Sequence, residues 1–288
     1  MSLLTIFTGQ FQTLAIWKNA SGANMFSPAM NSPLINTPAL RGNLHQHSPE
    51  NVIFPRSRNG AYDYNNGYFE AVDAEIAYSM VRWIKPSHII EIGTGYSTRV
   101  LATALERNSA WNGVEGQLVS IDPTAERLSN AHWRDRVTQI PCAVQDLEIG
   151  FFDLLHGGDI LFIDSSHVVA TGSDVTREFL QILPRLRSGV LVHLHDIFLP
   201  SDYPRDAVLK NLWFWSEQYL LQAFLSFNEQ FEVLWGSSAM QSYCPSVLEE
   251  CFPSWRHSYR DMPESKRRFV PTSDGDRVWP SSFWMRRV

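Results

Sequence analysis

The sequence predicts an α/β fold in which a mostly parallel sheet carries helices on both faces. Three observations support this prediction. Short apolar runs without proline or glycine recur along the chain, as in strands that are covered on both faces. Stretches with the helical spacing of apolar residues separate these runs. The runs end in glycine or polar residues, as expected where the carboxyl ends of parallel strands form a ligand-binding edge.

The first of these units extends from residue 88 to residue 100. Its isoleucine-rich run predicts a buried strand, Gly93 and Gly95 end that strand, and a helix follows with Ser97 or Thr98 as its cap. A glycine turn at this place lets a ligand approach bare backbone and directs unpaired helix N–H groups toward it. A dinucleotide-binding turn would carry a third glycine at position 98, where this chain has Thr98.

The remaining elements follow from periodicity in chain order. The apolar spacing predicts helices over residues 69–84, 98–107, 175–186 and 207–227. Lys85 and Pro86 end the first of them. Further buried runs predict strands within residues 117–121, 137–140, 159–167, 189–200, 231–235 and 281–288. Strands that alternate with helices in this way form a parallel sheet.

Composition narrows the class of protein. The net charge of −6 argues against a nucleic-acid partner, which requires a basic surface. No apolar stretch approaches the roughly 20 residues that a membrane span needs. The first residues lack the basic region and clear cleavage site of a signal peptide, and the three cysteines are widely spaced without a C-x-x-C pair. The sequence therefore predicts a cytoplasmic protein without a zinc site, and with a homodimer as one arrangement.

Polar residues stand at the carboxyl ends of four predicted strands. Parallel topology brings these ends to one edge of the sheet. Four carboxylates converging there repel one another unless a cation or a positively charged ligand lies among them. The residues concerned are Glu91, Asp122, Asp164, His195 and Asp196.

The glycine turn with its preceding acid carries a family resemblance. Glu91, Gly93 and Gly95 resemble motif I of the class I S-adenosylmethionine (SAM) methyltransferases, an acidic residue followed by x-G-x-G. The resemblance implies a Rossmann-like sheet of seven strands with the last strand antiparallel, and SAM as cofactor. It implies cofactor contacts from the turn and from three later strand ends. The full set is Glu91, Gly93, Gly95, Ser97, Thr98, Asp122, Gln145 and Asp164.

Two of these contacts have an alternative interpretation. Asp122 ends the second strand, where an acid accepts hydrogen bonds from ribose hydroxyls. It is equally placed to cap a helix near Thr124. In the small-molecule O-methyltransferases a residue at the place of Gln145 packs on the adenine edge, whereas the alternative is a loop and cap residue.

The fourth and fifth strand ends make the resemblance more specific. Asp164-Ser-Ser-His167, followed by His195-Asp196 one strand later, resembles the metal-dependent branch near the macrolide sugar O-methyltransferases and the cephalosporin-hydroxylase-like group. The resemblance covers about residues 70–235. It implies Asp164 and Asp196 as metal ligands and His167 as the general base that takes a proton from the substrate hydroxyl.

His195 departs from the pattern of that branch. Such relatives often have Glu-Asp where this chain has His195-Asp196. Magnesium prefers oxygen donors, whereas imidazole suits later first-row ions. Three outcomes follow: His195 ligates a metal such as Mn or Fe together with Asp164 and Asp196, it acts as a second acid–base group, or the metal site is lost.

The sequence thus predicts a SAM-dependent O-methyltransferase that acts on a natural-product-like hydroxyl. The alternative is an enzyme of the same fold that binds SAM but catalyses a cyclisation or rearrangement. An NAD-dependent oxidoreductase is a further hypothesis, which Thr98 and the Asp164-Ser-Ser-His167 strand end disfavour. A non-catalytic scaffold is another, but it leaves the strand-end acids unexplained. The predicted domain organisation is an irregular arm over residues 1–60, a lid or dimerisation segment, and a methyltransferase domain over 61–288 with an insertion at about 237–275.

Overall fold

A computed structural model provides the three-dimensional structure of the chain. It describes residues 62, 64, 66–113, 115–124, 136–258, 260, 264 and 277–288. The predicted N-terminal arm over residues 1–60 and the basic cluster Lys266–Arg268 lie outside the described residues. Residues 125–135, which follow the second predicted strand in the sequence, do so as well.

The described residues form a seven-stranded sheet whose strand order is β3-β2-β1-β4-β5-β7-β6. Its first five strands in the chain pair in parallel, and β7 pairs antiparallel with both β5 and β6. This arrangement confirms the predicted fold class, including the antiparallel last strand. The strands are β1 (His88–Ile92), β2 (Gln117–Ile121), β3 (Val137–Ile140), β4 (Ile160–Ile163), β5 (Leu191–Leu194), β6 (Phe231–Gly236) and β7 (Phe283–Arg287).

Helices cover both faces of the sheet. They are α1 (Asp73–Ile84), α2 (Tyr96–Asn112), α3 (Asp174–Arg177), α4 (Arg205–Leu209), α5 (Glu217–Leu225), α6 (Ser237–Tyr243) and α7 (Pro245–Cys251). The α3 segment continues through a π-helical stretch, Glu178–Ile182, and a 3-10 turn, Leu183–Arg185. None of the helices in the described part of the chain is long and apolar enough to cross a membrane.

Alternation along β1 explains why its isoleucines are buried on both faces of the sheet. Ile89 belongs to the core cluster that includes Leu101 of α2, on one face of the sheet. Ile90 belongs to the other cluster, with Phe179 of the segment after α3. Because both faces are covered, neighbouring residues of one strand are both buried. Burial of a side chain of this size stabilises the fold by roughly 1.5–3 kcal/mol.

The prediction of one long helix over residues 207–227 was wrong. The structure has α4, a non-helical segment over residues 210–216, and then α5. Leu212 has a φ of 57°, in the left-handed region, so the helix cannot continue through it. The backbone N–H of Trp213 instead returns to the carbonyl oxygen of Ala207. This break turns two tryptophans toward the carboxyl edge of the sheet.

Candidate active site at the carboxyl edge of the sheet

Hydrogen bonds beyond the strands hold the polar strand ends in register. The backbone N–H of Gly93 donates to the carbonyl oxygen of Ile121 at 2.9 Å, and that of Asp164 donates to Ile92 at 2.9 Å. The N–H of His195 donates to Ile163 at 3.0 Å. The backbone hydrogen bonds of the sheet therefore continue past the ends of β1, β4 and β5. They fix the backbone positions of the polar residues that follow these strands.

A cavity of about 1000 Å³ opens above these strand ends. One side is formed by the glycine turn (Gly93–Gly95) and by loops after β2 and β3, including Asp122 and Gln145. The other side carries acids, histidines and aromatic rings. The residues of that second side are Asp164, His167, His195, Asp196, Phe198, Trp213, Trp215 and Trp279. A cavity of this size is large enough for a cofactor beside a small substrate.

The two glycines of the turn have different roles. Gly93 has a φ of +101°, and a Cβ placed on it would lie 2.2 Å from the backbone oxygen of Asp164. At Gly95 a Cβ would meet no atom within 4 Å, and its φ of −175° is ordinary extended backbone. Gly93 is therefore required by the fold, whereas Gly95 keeps the cavity wall open at the start of α2.

Three predicted cofactor contacts lie behind the turn and outside the cavity lining. Ser97 Oγ donates to Glu91 Oε1 at 2.7 Å, and the backbone N–H of Gly95 donates to Thr98 Oγ1 at 2.9 Å. Glu91, Ser97 and Thr98 are all buried. The structure thus gives these side chains a supporting position, one layer removed from any ligand in the cavity.

Burial also changes the charge of Glu91. It raises the pKa of this carboxyl to about 8, although hydrogen bonds from Ser97, Thr98 and Ser120 oppose the rise. The sequence alone indicates a carboxylate at Glu91. In the ligand-free chain it is a neutral acid over most of the physiological range.

We expect the stability of the ligand-free protein to fall as the pH rises through the window set by Glu91. Between its ordinary value of 4.5 and about 8, the unfolded chain releases a proton that the folded chain retains. Urea unfolding of wild type and Glu91→Gln at matched pH values isolates this contribution, since all other groups are shared. The wild type is expected to lose several kcal/mol relative to the variant across the window. Parallel stability curves would contradict this prediction.

Asp122 joins the loops that follow β1 and β2. Its Oδ2 accepts from the backbone N–H of Thr94 at 2.9 Å, and its Oδ1 accepts from the N–H and hydroxyl of Thr124, both at 2.6 Å. It also lines the cavity. Since each carboxylate oxygen can accept more than one hydrogen bond, these loop contacts leave acceptor capacity for a ligand.

Gln145 lies in a short 3-10 turn after β3, on the rim of the cavity. Its Nε2 donates to the carbonyl oxygen of Gly172 at 3.2 Å. The side chain thus links two loops at the rim, which agrees with the interpretation of Gln145 as a loop residue. Its position in the cavity lining also suits a contact with an adenine ring.

Four side chains meet on the other side, and we call Asp164, His167, His195 and Asp196 the acid–histidine cluster. His195 Nδ1 lies 3.4 Å from Asp164 Oδ1 and 3.7 Å from Asp196 Oδ2. His167 Nε2 lies 3.6 Å from Asp164 Oδ1 and 3.4 Å from Asp196 Oδ2. The predicted strand-end residues of β4 and β5 are therefore brought together.

Two of the four have strained backbones. His167 has a φ of 61° and Asp196 a φ of 56°. Residues other than glycine adopt this region only when the surrounding structure requires it, and such residues are frequent at active sites. The loops after β4 and β5 are thus bent so that His167 and Asp196 face the cavity.

Each histidine has a second, buried carboxylate at its other ring nitrogen. Glu217, the first residue of α5, accepts from His167 Nδ1 at 2.9 Å. Asp73, the first residue of α1, has its Oδ2 3.5 Å from His195 Nε2. Both acids are almost fully buried. They fix the orientation of each ring, so that its remaining nitrogen faces Asp164 and Asp196.

The pKa values of the cluster reflect this arrangement of charge. Burial alone lowers the pKa of His167, but the hydrogen bond to Glu217 and the charges of Asp196 and Asp164 raise it to about 9. Burial raises the pKa of Asp164, but His195 and His167 outweigh it and bring the value to about 2. In the ligand-free chain the histidines therefore supply positive charge that stabilises the carboxylates.

Sequence reasoning missed the two outer acids and the non-helical conformation of the tryptophan pair. Asp73 and Glu217 begin helices far from the strand ends, and an acid in a first turn ordinarily indicates only a favourable helix dipole. Trp213 and Trp215, stacked with centroids 4.4 Å apart, fall in the segment predicted as helix. Three consecutive aromatic residues, Trp213, Phe214 and Trp215, were the available signal for an extended segment.

The cluster has the donors of a divalent metal site. One ligand atom from each of Asp164, His195 and Asp196 lies within 4.8 Å of the others. Two ligands bound about 2.1 Å from one ion lie roughly 3.0–3.4 Å apart at octahedral or tetrahedral angles. The separations of 3.4 and 3.7 Å from His195 to the two acids are close to that range, so the residues fit a metal ion.

Comparison with solved structures gives remote likenesses. A Podospora anserina methyltransferase, PaMTH1, bound to SAH is 18% identical, with a TM-score of 0.40, over 56% of this chain and 71% of that one. An O-methyltransferase from Bacillus cereus in complex with SAH is 14% identical, with a TM-score of 0.42, over 91% and 97%. The protein cmcI with Mg and SAM is 14% identical, with a TM-score of 0.39, over 62% and 73%. At these scores none of the three overlays transfers a residue's role to this chain.

Sequence comparison gives one family and no individual relative. No curated protein matches the chain. Residues 90–197 match the family model described as "Methyltransferase domain". The matched region begins in β1 and ends just after the acid–histidine cluster, so it includes both sides of the cavity floor. The likeness to a methyltransferase domain therefore concerns residues 90–197, which form the floor of the cavity.

Proposed function

We propose that this protein transfers a methyl group from SAM to a hydroxyl group of a small molecule. One observation carries the proposal: a glycine turn open to a ligand and a cluster of two acids and two histidines share one cavity. The methyltransferase-domain match over residues 90–197 supports the same reaction class. The acids offer a place for positive charge, which the sulfonium of SAM and a metal ion both carry.

In this proposal SAM lies on the first side of the cavity. Gly93 and Gly95 would hold its methionine portion, Asp122 would accept hydrogen bonds from the ribose hydroxyls, and Gln145 would contact the adenine. Glu91, Ser97 and Thr98 act indirectly, since they hold the turn from behind through the hydrogen bonds described above. Asp164, at the boundary between the two sides, would offer negative charge to the sulfonium.

The chemical step is a direct displacement. The acceptor oxygen attacks the methyl carbon, the new C–O bond forms as the C–S bond breaks, and the sulfur keeps the electron pair as a neutral thioether. The hydroxyl proton would pass to His167 Nε2 once that nitrogen has lost its own proton, while Nδ1 stays bonded to Glu217. A divalent ion held by Asp164, His195 and Asp196 would lower the pKa of the acceptor hydroxyl and offset the carboxylate charges that keep His167 protonated.

The aromatic lining indicates a flat or apolar acceptor of natural-product type. Trp213, Trp215 and Trp279 line the cavity beside the cluster, and the ring of Trp215 lies 4.7 Å, centroid to centroid, from that of His167. Stacking against these rings would hold a planar acceptor with its hydroxyl near His167. Alignment of this kind supplies several kcal/mol of a displacement barrier.

Calorimetric titration with SAM, with and without EDTA, tests the cofactor assignment. We expect micromolar binding to the wild type and at least about tenfold weaker binding to Asp122→Asn, since a hydrogen bond to a charged group is worth roughly 1.5–3 kcal/mol. Asp153→Asn, at an exposed surface pair with Arg185, is the control and should bind as the wild type does. Absence of SAM binding under both conditions would overturn the proposal.

Product mass separates methyl transfer from the alternative chemistry. Methylation adds one methylene to the acceptor, whereas a cyclisation or rearrangement leaves its mass unchanged. One observation favours the alternative chemistry. His195 stands where relatives of the metal-dependent branch often carry an acid. If an acceptor is consumed in the presence of SAM without gaining mass, methyl transfer is wrong and a cyclisation or rearrangement takes its place as the proposal.

A further inference from the structure

We propose that Asp164, His195 and Asp196 form a metal centre selective for first-row transition ions over magnesium, with Asp73 as the residue that positions His195. The inference deepens the proposed function. It rests on that function only because the metal centre and the methyl transfer are assigned to the same cavity. Metal binding is measured on the chain without SAM. Failure of the metal assignment is therefore distinguishable from failure of methyl transfer.

The donor set itself favours a transition ion. It consists of one imidazole nitrogen and two carboxylate oxygens, with the nitrogen 3.4 and 3.7 Å from the two oxygens. Magnesium requires oxygen ligands in near-ideal octahedral geometry and retains its waters, whereas imidazole suits iron and later first-row ions such as cobalt. The nitrogen donor of His195 therefore raises the affinity of the site for transition ions and adds little to its affinity for magnesium.

His195 is already oriented for binding. Its ring is almost fully buried, and the ring of Phe69 lies 5.0 Å away between centroids. On its far side, Nε2 faces Asp73 Oδ2 at 3.5 Å, which leaves Nδ1 directed at the two acids. A buried carboxylate behind a metal-binding imidazole fixes the tautomer and increases the basicity of the ligating nitrogen.

Asp73 is itself held rigidly from the opposite end of the chain. Its Oδ2 accepts from the backbone N–H of Ser281 at 2.9 Å, and its Oδ1 accepts from that of Ser282 at 2.8 Å. The hydroxyl of Ser281 also donates to Asp196 Oδ1 at 3.2 Å. Both the imidazole and one carboxylate ligand are thus anchored by residues just before β7.

These anchors lie outside the part of the chain that matches the family model. Asp73 begins α1 and Ser281 precedes β7, whereas the match covers residues 90–197. The outer partners of the metal centre are therefore a property of this chain's own flanking segments. This separates the inference from what the methyltransferase domain alone implies.

Titration of the metal-free protein with cobalt(II) tests the proposal directly. Binding is followed by calorimetry and by the visible absorption of the bound ion, and magnesium is titrated in parallel and in competition. We expect cobalt to bind at least about 100-fold more tightly than magnesium, and Asp73→Asn to weaken cobalt binding by about 10–100-fold. Equal affinities for the two ions, or no cobalt binding by folded wild type, would overturn the proposal.

A matched control exists at the other edge of the sheet. Asp159 is also buried, accepts from the backbone N–H groups of Ser87 and His88, and lies 3.5 Å from a ring nitrogen of His88. Asp159→Asn should therefore disturb the fold in a comparable way and leave cobalt affinity within about twofold of wild type. Loss of affinity in both variants would show that Asp73 acts only through stability.

His195→Asp keeps the inference testable if Asp73→Asn does not fold. The variant exchanges the nitrogen donor for an oxygen donor at the same place. We expect the ratio of cobalt to magnesium affinity to fall at least about tenfold. An unchanged ratio would mean that His195 does not set the metal preference, which contradicts the proposal.

Discussion

Replacing His167 by glutamine is expected to lower methyl transfer by a factor of about 10²–10⁴, the usual contribution of a positioned general base. Glutamine fills a similar volume but cannot accept the hydroxyl proton. SAM affinity, measured by calorimetry, should stay within about threefold of wild type, because His167 lies on the acceptor side of the cavity. Asp196→Ala is expected to show the same separation between turnover and SAM binding.

His88→Gln is the control for this measurement. His88 also has a nearby buried carboxylate, Asp159, but it lies at the amino end of β1, away from the cavity. Its replacement should leave turnover unchanged. If the His167 and Asp196 variants both retain wild-type turnover, the roles assigned to the acid–histidine cluster are wrong.

Replacing Gly93 by alanine is expected to produce the largest loss of stability among single substitutions in the turn. The new Cβ would stand 2.2 Å from the backbone oxygen of Asp164, and the φ of +101° is unfavourable for alanine. We expect a cost of at least about 3 kcal/mol, measured by urea unfolding. Relief of the clash must displace either the turn or the end of β4, so SAM and metal binding should both weaken.

Gly95→Ala provides the comparison. No atom lies within 4 Å of the position that its Cβ would take, and its backbone is extended, so we expect a loss of no more than about 1 kcal/mol. The sequence motif treats the two glycines alike, whereas the structure predicts very different costs. Equal losses of stability in the two variants would contradict the geometric argument.

Much of the framework was predictable because burial leaves a strong pattern in sequence. A strand such as β4, with Ile160–Ile163 buried on both faces, must be apolar throughout. Parallel topology then forces the residues after each strand to one edge, so the approach of Asp164 to His195 and Asp196 followed from strand order alone. The antiparallel β7 came from the family resemblance.

The outer contacts were not predictable, since they depend on how helices pack. Nothing local marks Glu217 or Asp73 as partners of histidines that lie 50 or more positions away. The break at Leu212 also escaped prediction, because the surrounding residues have adequate helix propensity and the left-handed turn is imposed by tertiary packing. The neutral state of Glu91 required knowledge of its full burial.

The contact between Asp73 and Ser281 joins positions 208 residues apart. Closing so long a loop is among the slowest events in folding, because its entropy must be lost before the contact forms. The glycine turn and the ends of β1, β4 and β5 form earlier, through parallel pairings that are closer in sequence. In the proposed metal centre, the support of His195 by Asp73 thus depends on the late docking of β7, and an ion bound at His195 would act as a brace against opening of that strand.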